Sequence, residues 1–135
     1  MRVLVNIDVD DLAAAERFYT TAFGLTVGRR FGDGGVVELL GAGAAIYLLH
    51  KPAGSAPVPG SASPRDYARH WTPVHLDFAV DDVDATVARA VAAGAVLEHP
   101  PASHDWGRTA QLADPWGHGL CVITFSEQGY DALLD

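Results

Sequence analysis

The feature that most constrains this 135-residue chain is a pattern of elements that occurs twice. Residues 3–9 alternate apolar and polar side chains, as a half-buried strand does, and Asp11 then stands where a helix N-cap belongs. Apolar side chains recur at helical spacing up to Gly24, a residue type that favours helix termination. Three strand-like segments follow, at residues 25–31, 35–40 and 44–50. The first half therefore predicts the order βαβββ.

The second half repeats this order. Residues 74–80 alternate as a strand, Asp82 corresponds to Asp11 as a helix cap, and the helix is expected to end at Gly94. Three more strand-like segments follow, at residues 95–99, 108–113 and 119–125.

A βαβββ unit leaves one sheet face that it cannot cover alone, so two such units are expected to join into one α+β domain. We predict a single domain over residues 1–135. Its parts are a module at 1–50, a Pro- and Gly-rich linker at 51–72, a module at 73–125 and a tail at 126–135.

The composition argues against several classes of partner. Nine lysine and arginine residues stand against 17 acidic residues, which gives a formal net charge of −8. Such a surface repels phosphate backbones and anionic lipids, so neither nucleic acid nor a membrane is an expected partner. Cys121 is the single cysteine, which excludes an internal disulfide and a Cys-rich zinc site and is typical of a reducing compartment. We therefore expect a cytoplasmic protein.

Short motifs accompany the duplicated pattern and carry a family resemblance. They are Asp11-Leu12, Phe18-Tyr19 and Phe23-Gly24-Leu25 around the first helix, and Asp114-Pro115-Trp116-Gly117-His118 before the last strand. With these motifs in this order, the chain resembles the vicinal oxygen chelate superfamily, which includes glyoxalase I, bleomycin-resistance proteins and extradiol dioxygenases. The resemblance implies the glyoxalase/bleomycin-resistance fold, with two βαβββ modules whose curved sheets surround a ligand cleft. It also implies a homodimer.

The resemblance implies metal ligands on the first and last strands of each module. The corresponding positions here are Leu4 and Tyr47 in the first module, and His75 and Cys121 in the second. A leucine offers no donor atom, and a tyrosine or cysteine ligates only as an anion. We therefore expect no cofactor, with a divalent metal held by His75 and unusual donors as the alternative.

Seven side chains are predicted to contact a small-molecule ligand, chosen for their type and their place in the resemblance. They are Tyr47, Trp71, His75, His104, Trp106, Arg108 and Cys121. Residues 99–108 are interpreted as a loop at the cleft, where Trp106 could stack on a planar ligand and Arg108 could bind an anionic one. Two alternatives stay open: Trp106 packs the loop while Arg108 pairs with an acidic group, and Trp71 only docks the linker onto the core.

Three functions remain open at this point. The first is a metal-independent small-molecule-binding protein similar to bleomycin-resistance proteins, whose acidic surface would suit a cationic compound. The second is a glyoxalase-like lyase or isomerase in which His75 acts as acid and base or an atypical metal site assembles. The third is an accessory protein that only dimerises.

Overall fold

The computed structural model describes residues 1–135, which form two compact units, Met1–Ala68 and Arg69–Asp135. The boundary between the units falls inside the predicted linker. Each unit contains one α-helix and one four-stranded mixed sheet, so the prediction of an α+β fold with two βαβββ modules is confirmed. Neither helix combines the length and the apolar character that crossing a bilayer requires.

The first unit has its elements in the predicted order. They are β1 (Val5–Val9), α1 (Leu12–Phe23), β2 (Thr26–Phe31), β3 (Val36–Ala42) and β4 (Ala44–His50). The strands lie in the order β1-β4-β3-β2, with β1 parallel to β4 and the other pairs antiparallel. Asp11 caps α1 by accepting a hydrogen bond from the Ala14 N–H at 2.9 Å, and Gly24 ends the helix at φ +66°.

The second unit repeats this topology. Its elements are β5 (Leu76–Ala79), α2 (Val83–Ala92), β6 (Val96–His104), β7 (Gly107–Ala113), β8 (Gly119–Phe125) and a 3-10 turn at Gly129–Leu133. The strands lie in the order β5-β8-β7-β6, with β5 parallel to β8. Asp82 caps α2 through the Ala85 N–H, as Asp11 caps α1.

The helix of each unit packs on one face of that unit's sheet, where the buried side chains lie. In the first unit this core includes Leu39 and Leu48, and in the second unit it includes Leu112 and Val122. Because strand side chains alternate between faces, the side chains between these positions point to the face away from the helix. Two candidate functional residues, Tyr47 and Cys121, lie on that second face.

The prediction of a loop over residues 99–108 is wrong. Strand β6 continues through Pro100 and Pro101 to His104, and only two residues connect it to β7. A proline cannot donate a ladder hydrogen bond, but β6 is the edge strand and its register shifts between His99 and Ala102. A bulge at a sheet edge is where a strand accommodates proline.

The Asp114–His118 turn joins β7 to β8. The Asp114 Oδ1 atom accepts hydrogen bonds from the backbone N–H groups of Trp116 and His118, both at 2.9 Å. The His118 Nδ1 atom lies 2.7 Å from the second carboxylate oxygen. His118 therefore belongs to the turn, as the motif predicts.

Candidate functional site

The second unit contains a cavity of about 310 Å3 on the sheet face away from α2. Its floor is a row of side chains that stand in register across three strands: Gln111 on β7, Cys121 on β8 and Asp77 on β5. Cross-strand partners share a face of the sheet, so these three project together. A cavity of this volume lies in the range that small-molecule sites occupy.

One wall of the cavity is aromatic. The rings of His104 and Trp106 are stacked, with centroids 4.9 Å apart and planes only 4° from parallel. Tyr130, carried by the 3-10 turn, approaches Trp106 with a centroid distance of 5.7 Å. The two-residue connection between β6 and β7 places Trp106 at the end of the sheet, where its ring can border the cavity.

The polar floor is anionic but not nucleophilic. Asp77 Oδ1 lies 3.1 Å from His75 Nε2, so these two side chains share a face of the sheet, as the alternation of residues 74–80 predicts. Burial, followed by the nearby charge of Asp77, raises the pKa of the Cys121 thiol to about 11. Cys121 is therefore a protonated thiol at neutral pH, and a thiol in that form is a poor nucleophile.

Three of the predicted contact residues, His104, Trp106 and Cys121, line this cavity. His75 contacts the lining residue Asp77 rather than the cavity itself. Trp71 packs against His75, with centroids 4.9 Å apart, and the Arg69 guanidinium lies 5.2 Å from the Trp71 ring. Trp71 thus docks the end of the linker onto the sheet of the second unit.

The prediction that Arg108 binds a ligand is wrong for this cavity. Arg108 forms a bidentate pair with Asp84 of α2, at 2.7 and 2.8 Å, and donates to Ser103 at 2.9 Å. It lies two residues from the buried Ala110 on β7, and alternation therefore directs its side chain to the helix side of the sheet. Pairing with an acidic group, the alternative interpretation, describes Arg108 correctly.

Tyr47 belongs to the first unit and forms a different cluster. Its hydroxyl donates to Glu38 Oε1 at 3.0 Å, and Arg29 binds the same carboxylate through Nε at 3.0 Å, Nη2 at 2.6 Å and its backbone N–H at 3.1 Å. The Glu38 side chain is only 7% exposed. A bulge in β2 lets Gly28 and Arg29 both face Glu38, and a Cβ on Gly28 would lie 2.6 Å from the carboxylate.

This cluster makes the stability of the first unit depend on pH. The Arg29 guanidinium, with the Tyr47 hydroxyl, lowers the pKa of Glu38 from its ordinary value of 4.5 to about 2. A carboxyl whose folded pKa is lowered contributes stability above its unfolded pKa, and the contribution disappears as the pH falls through the folded pKa. The free energy of unfolding of the wild-type protein should therefore exceed that of Glu38→Gln by a constant amount above pH 4.5. This difference should shrink as the pH falls toward 2.

Urea unfolding of both proteins between pH 2 and pH 7 measures this difference. Glu16→Gln is the control, because Glu16 pairs with Arg30 on the more solvated side of α1 and should give a smaller difference. A difference between wild type and Glu38→Gln that stays constant down to pH 2 would contradict the assignment.

Several cavity residues were not predicted as site residues. Thr109 and Gln111 alternate with the apolar Ala110 and Leu112 along β7, so the strand pattern contained the signal that they face away from α2. His99 is predicted both to end a strand and to begin a loop, and the register shifts on either side of it hide the direction of its side chain. Tyr130 lies in the tail, where no periodic pattern points to a cavity.

A model of the glyoxalase-like domain matches residues 4–123. The chain belongs to the glyoxalase-like domain family. Membership in the vicinal oxygen chelate superfamily, predicted from the duplicated pattern and its motifs, is thereby confirmed.

Relatives of this glyoxalase-like protein agree with the assignment. The anthracycline biosynthesis protein DauV from Streptomyces sp. (strain C5) is 32% identical over 136 residues, which cover 97% of this chain and 43% of DauV. The chain thus spans less than half the length of that relative. FosX from Listeria monocytogenes, a fosfomycin resistance protein, superposes with a TM-score of 0.69 at 17% identity, covering 95% of each chain. A glyoxalase/bleomycin resistance protein/dioxygenase family enzyme from Burkholderia phytofirmans PsJN gives a TM-score of 0.66 at 20% identity, covering 91% of this chain and 97% of the other. These two structural similarities show that the chain shares its fold with both proteins.

The family positions for metal ligands do not supply a family-type donor set here. Leu4 presents only carbon, and the Tyr47 hydroxyl is engaged by Glu38. A different set of donors does assemble in the second unit, where ligand atoms of His75, Asp77 and Cys121 all lie within 4.8 Å of one another. One imidazole, one carboxylate and one thiol suit a borderline ion such as Zn²⁺, provided that the thiol loses its proton.

Proposed function

We propose that this glyoxalase-like protein binds a planar small molecule in the cavity of the second unit and sequesters it without using a metal. The observation that carries the proposal is the stacked pair of His104 and Trp106 at the wall of a cavity of about 310 Å3. Two rings locked parallel to each other present a flat apolar surface, and a planar ligand can continue the stack.

The polar floor supports binding rather than bond-making. The amide of Gln111 can orient a ligand by hydrogen bonds, and the Thr109 hydroxyl, which donates to the Val122 carbonyl at 3.1 Å, can still accept one. The Cys121 thiol is protonated, so it supplies no nucleophile at neutral pH. A sequestering protein needs shape and orientation from its cavity, and these side chains provide both.

The donor chemistry supports metal independence. A metal at His75, Asp77 and Cys121 has to displace the proton of a thiol whose pKa burial already raises to about 11, and the first-module positions add no family-type donor. The relative DauV is named for anthracycline biosynthesis, and anthracyclines are planar aromatic compounds. We extend to this chain only the planar aromatic character of the ligand.

The test is a calorimetric or fluorescence screen of planar aromatic compounds against the purified protein, with and without EDTA. We expect hits whose affinity does not change with the chelator and which mass spectrometry recovers unaltered. Trp106→Leu should weaken binding at least tenfold, which corresponds to about 1.4 kcal/mol of lost stacking. Trp71→Leu is the matched control, because Trp71 lies outside the cavity, and it should bind within twofold of wild type. Uniform absence of binding, or equal losses in the two variants, would overturn the proposal.

The second candidate is a lyase or isomerase with a metal on His75, Asp77 and Cys121, and the closeness of these donors is the observation that favours it. Elemental analysis of protein purified without chelator distinguishes the two functions. Sequestration without metal predicts well under one ion per chain. One zinc, nickel or iron per chain that disappears in His75→Ala would favour the enzyme.

We also propose a cytoplasmic homodimer as the state of the protein. The resemblance to its superfamily supports the dimer, and the single buried cysteine is compatible with a reducing compartment. Sedimentation equilibrium measures the mass in solution, and a monomer at micromolar concentration would contradict this expectation.

A further inference from the structure

One residue of the cavity's aromatic wall, Tyr130, lies outside the part of the chain matched by the family model. That match ends at residue 123, whereas Tyr130 lies in the tail. The tail is tied to the turn that carries Trp106: the Ser126 N–H donates to the Trp106 carbonyl at 3.0 Å, and Ser126 Oγ donates to the Asp105 carbonyl at 2.8 Å. Tyr130 is therefore held beside Trp106 by a short anchored segment.

Ring contacts fix the position of Tyr130 further. Its ring meets Phe125 edge to face, with centroids 4.9 Å apart and planes at 80°, and it is tilted by 42° from Trp106. Tyr130 is nevertheless 53% exposed, and it is one of the residues that line the cavity. With His104 stacked on Trp106, three aromatic side chains thus surround the same space.

The cavity contains one carboxylate, that of Asp77, and no lysine or arginine, beside the two histidines His99 and His104. Asp77 lies 3.1 Å from His75 and is the cross-strand partner of Cys121. The nearest arginine on β7, Arg108, is turned to the opposite face and neutralised by Asp84.

We infer that the ligand is an organic cation, an aromatic or alkylated ammonium compound held against the rings of Trp106 and Tyr130 with Asp77 as its counter-charge. A cation within about 6 Å of an aromatic face is attracted by the ring's negative quadrupole, and several rings around one carboxylate give an anionic aromatic cage. This inference rests on the proposed function, since it names the class of molecule that the cavity sequesters.

The experiment compares two probes that share a ring system and differ in charge. N-Methylquinolinium is permanently cationic, and quinaldine is its neutral counterpart at pH 8. Isothermal titration calorimetry should show at least tenfold tighter binding of the cation by the wild-type protein. Asp77→Asn should reduce this preference to less than threefold, while Asp131→Asn, a carboxylate change in the tail outside the cavity, should preserve it.

A second pair of variants tests the tail. Tyr130→Leu should weaken binding of the cation about fivefold, and Tyr130→Phe should retain it, because the ring rather than the hydroxyl faces the charge. Tyr130 is half exposed, so neither variant is expected to unfold the protein.

The outcomes separate this inference from the function on which it rests. Equal affinities for the two probes, or a charge preference unchanged in Asp77→Asn, would overturn the inference and leave sequestration standing. A screen in which only neutral or anionic compounds bind would do the same. Absence of binding by the probes and by every compound of the screen would overturn both.

Discussion

Gly107→Ala should lower the free energy of unfolding by about 3 kcal/mol or more, through strain at the start of β7. Gly107 has φ +153°, a backbone conformation that alanine rarely adopts. A Cβ at this position would lie 2.3 Å from the Thr124 carbonyl oxygen and 3.1 Å from the Phe125 Cα atom. Both atoms belong to the backbone of β8, so relief requires the two strands to separate.

Thermal and urea unfolding measure this loss, and we expect a melting temperature lower by about 10 °C. Gly43→Ala is the matched control, because Gly43 also has a positive φ of +77° between two strands, yet a Cβ there meets nothing within 4 Å. That control should cost only about 1 kcal/mol. Equal losses in the two variants would show that the contact with β8 is unimportant.

Gly107→Ala should also affect the site, since Gly107 directly follows Trp106 and pairs with both His104 and Phe125. Separation of β7 from β8 would displace the Trp106 ring. Ligand affinity of the variant, measured below its unfolding temperature, should therefore fall together with its stability.

Asp114→Ala should lower the free energy of unfolding by about 3 kcal/mol. The Asp114 side chain is fully buried, and it accepts hydrogen bonds from two backbone N–H groups, those of Trp116 and His118, while its other oxygen contacts the His118 ring. Alanine would leave these buried donors without their partner. Each buried donor that loses its acceptor destabilises the folded state by about 1–3 kcal/mol. The expected loss of stability is therefore larger than the contribution of a single hydrogen bond.

Asp114→Asn is the informative control for this turn. Its amide oxygen can still accept the two backbone hydrogen bonds, and only the contact with His118 changes. We expect it to retain most of the stability, with a loss of about 1 kcal/mol by urea unfolding. If Asp114→Asn were as unstable as Asp114→Ala, charge rather than hydrogen bonding would be what holds the turn.

The helices and most strands were predictable because their signals are local. A side chain such as Asp11 or Asp82 caps a helix through an N–H only three residues away, and the structure contains both contacts. Alternation along a strand is equally local: it puts Cys121 on the face opposite to Leu120 and Val122, and His75 on the same face as Asp77. Such features depend on spacing within a few residues.

The site was predictable only in part. Trp106 and His104 line the cavity. A loop was predicted over all of residues 99–108, whereas His104 ends one strand and only Asp105 and Trp106 connect it to the next. The same error misdirected Arg108, although its alternation with Ala110 already indicated the helix side.

The sequence by itself determined the duplicated βαβββ plan, the helix caps and the alternation of faces within each regular strand, because each depends on short-range spacing. Only the tertiary structure decided how strands continue across the bulges at Arg29 and Pro101, and that Tyr130 meets Trp106. A bulge adds one residue to one strand and reverses which face the following side chains take, and the partner strand decides where this happens. The tail reaches the cavity through contacts between elements that are distant in the sequence. The spacing of residues along the chain does not indicate such contacts.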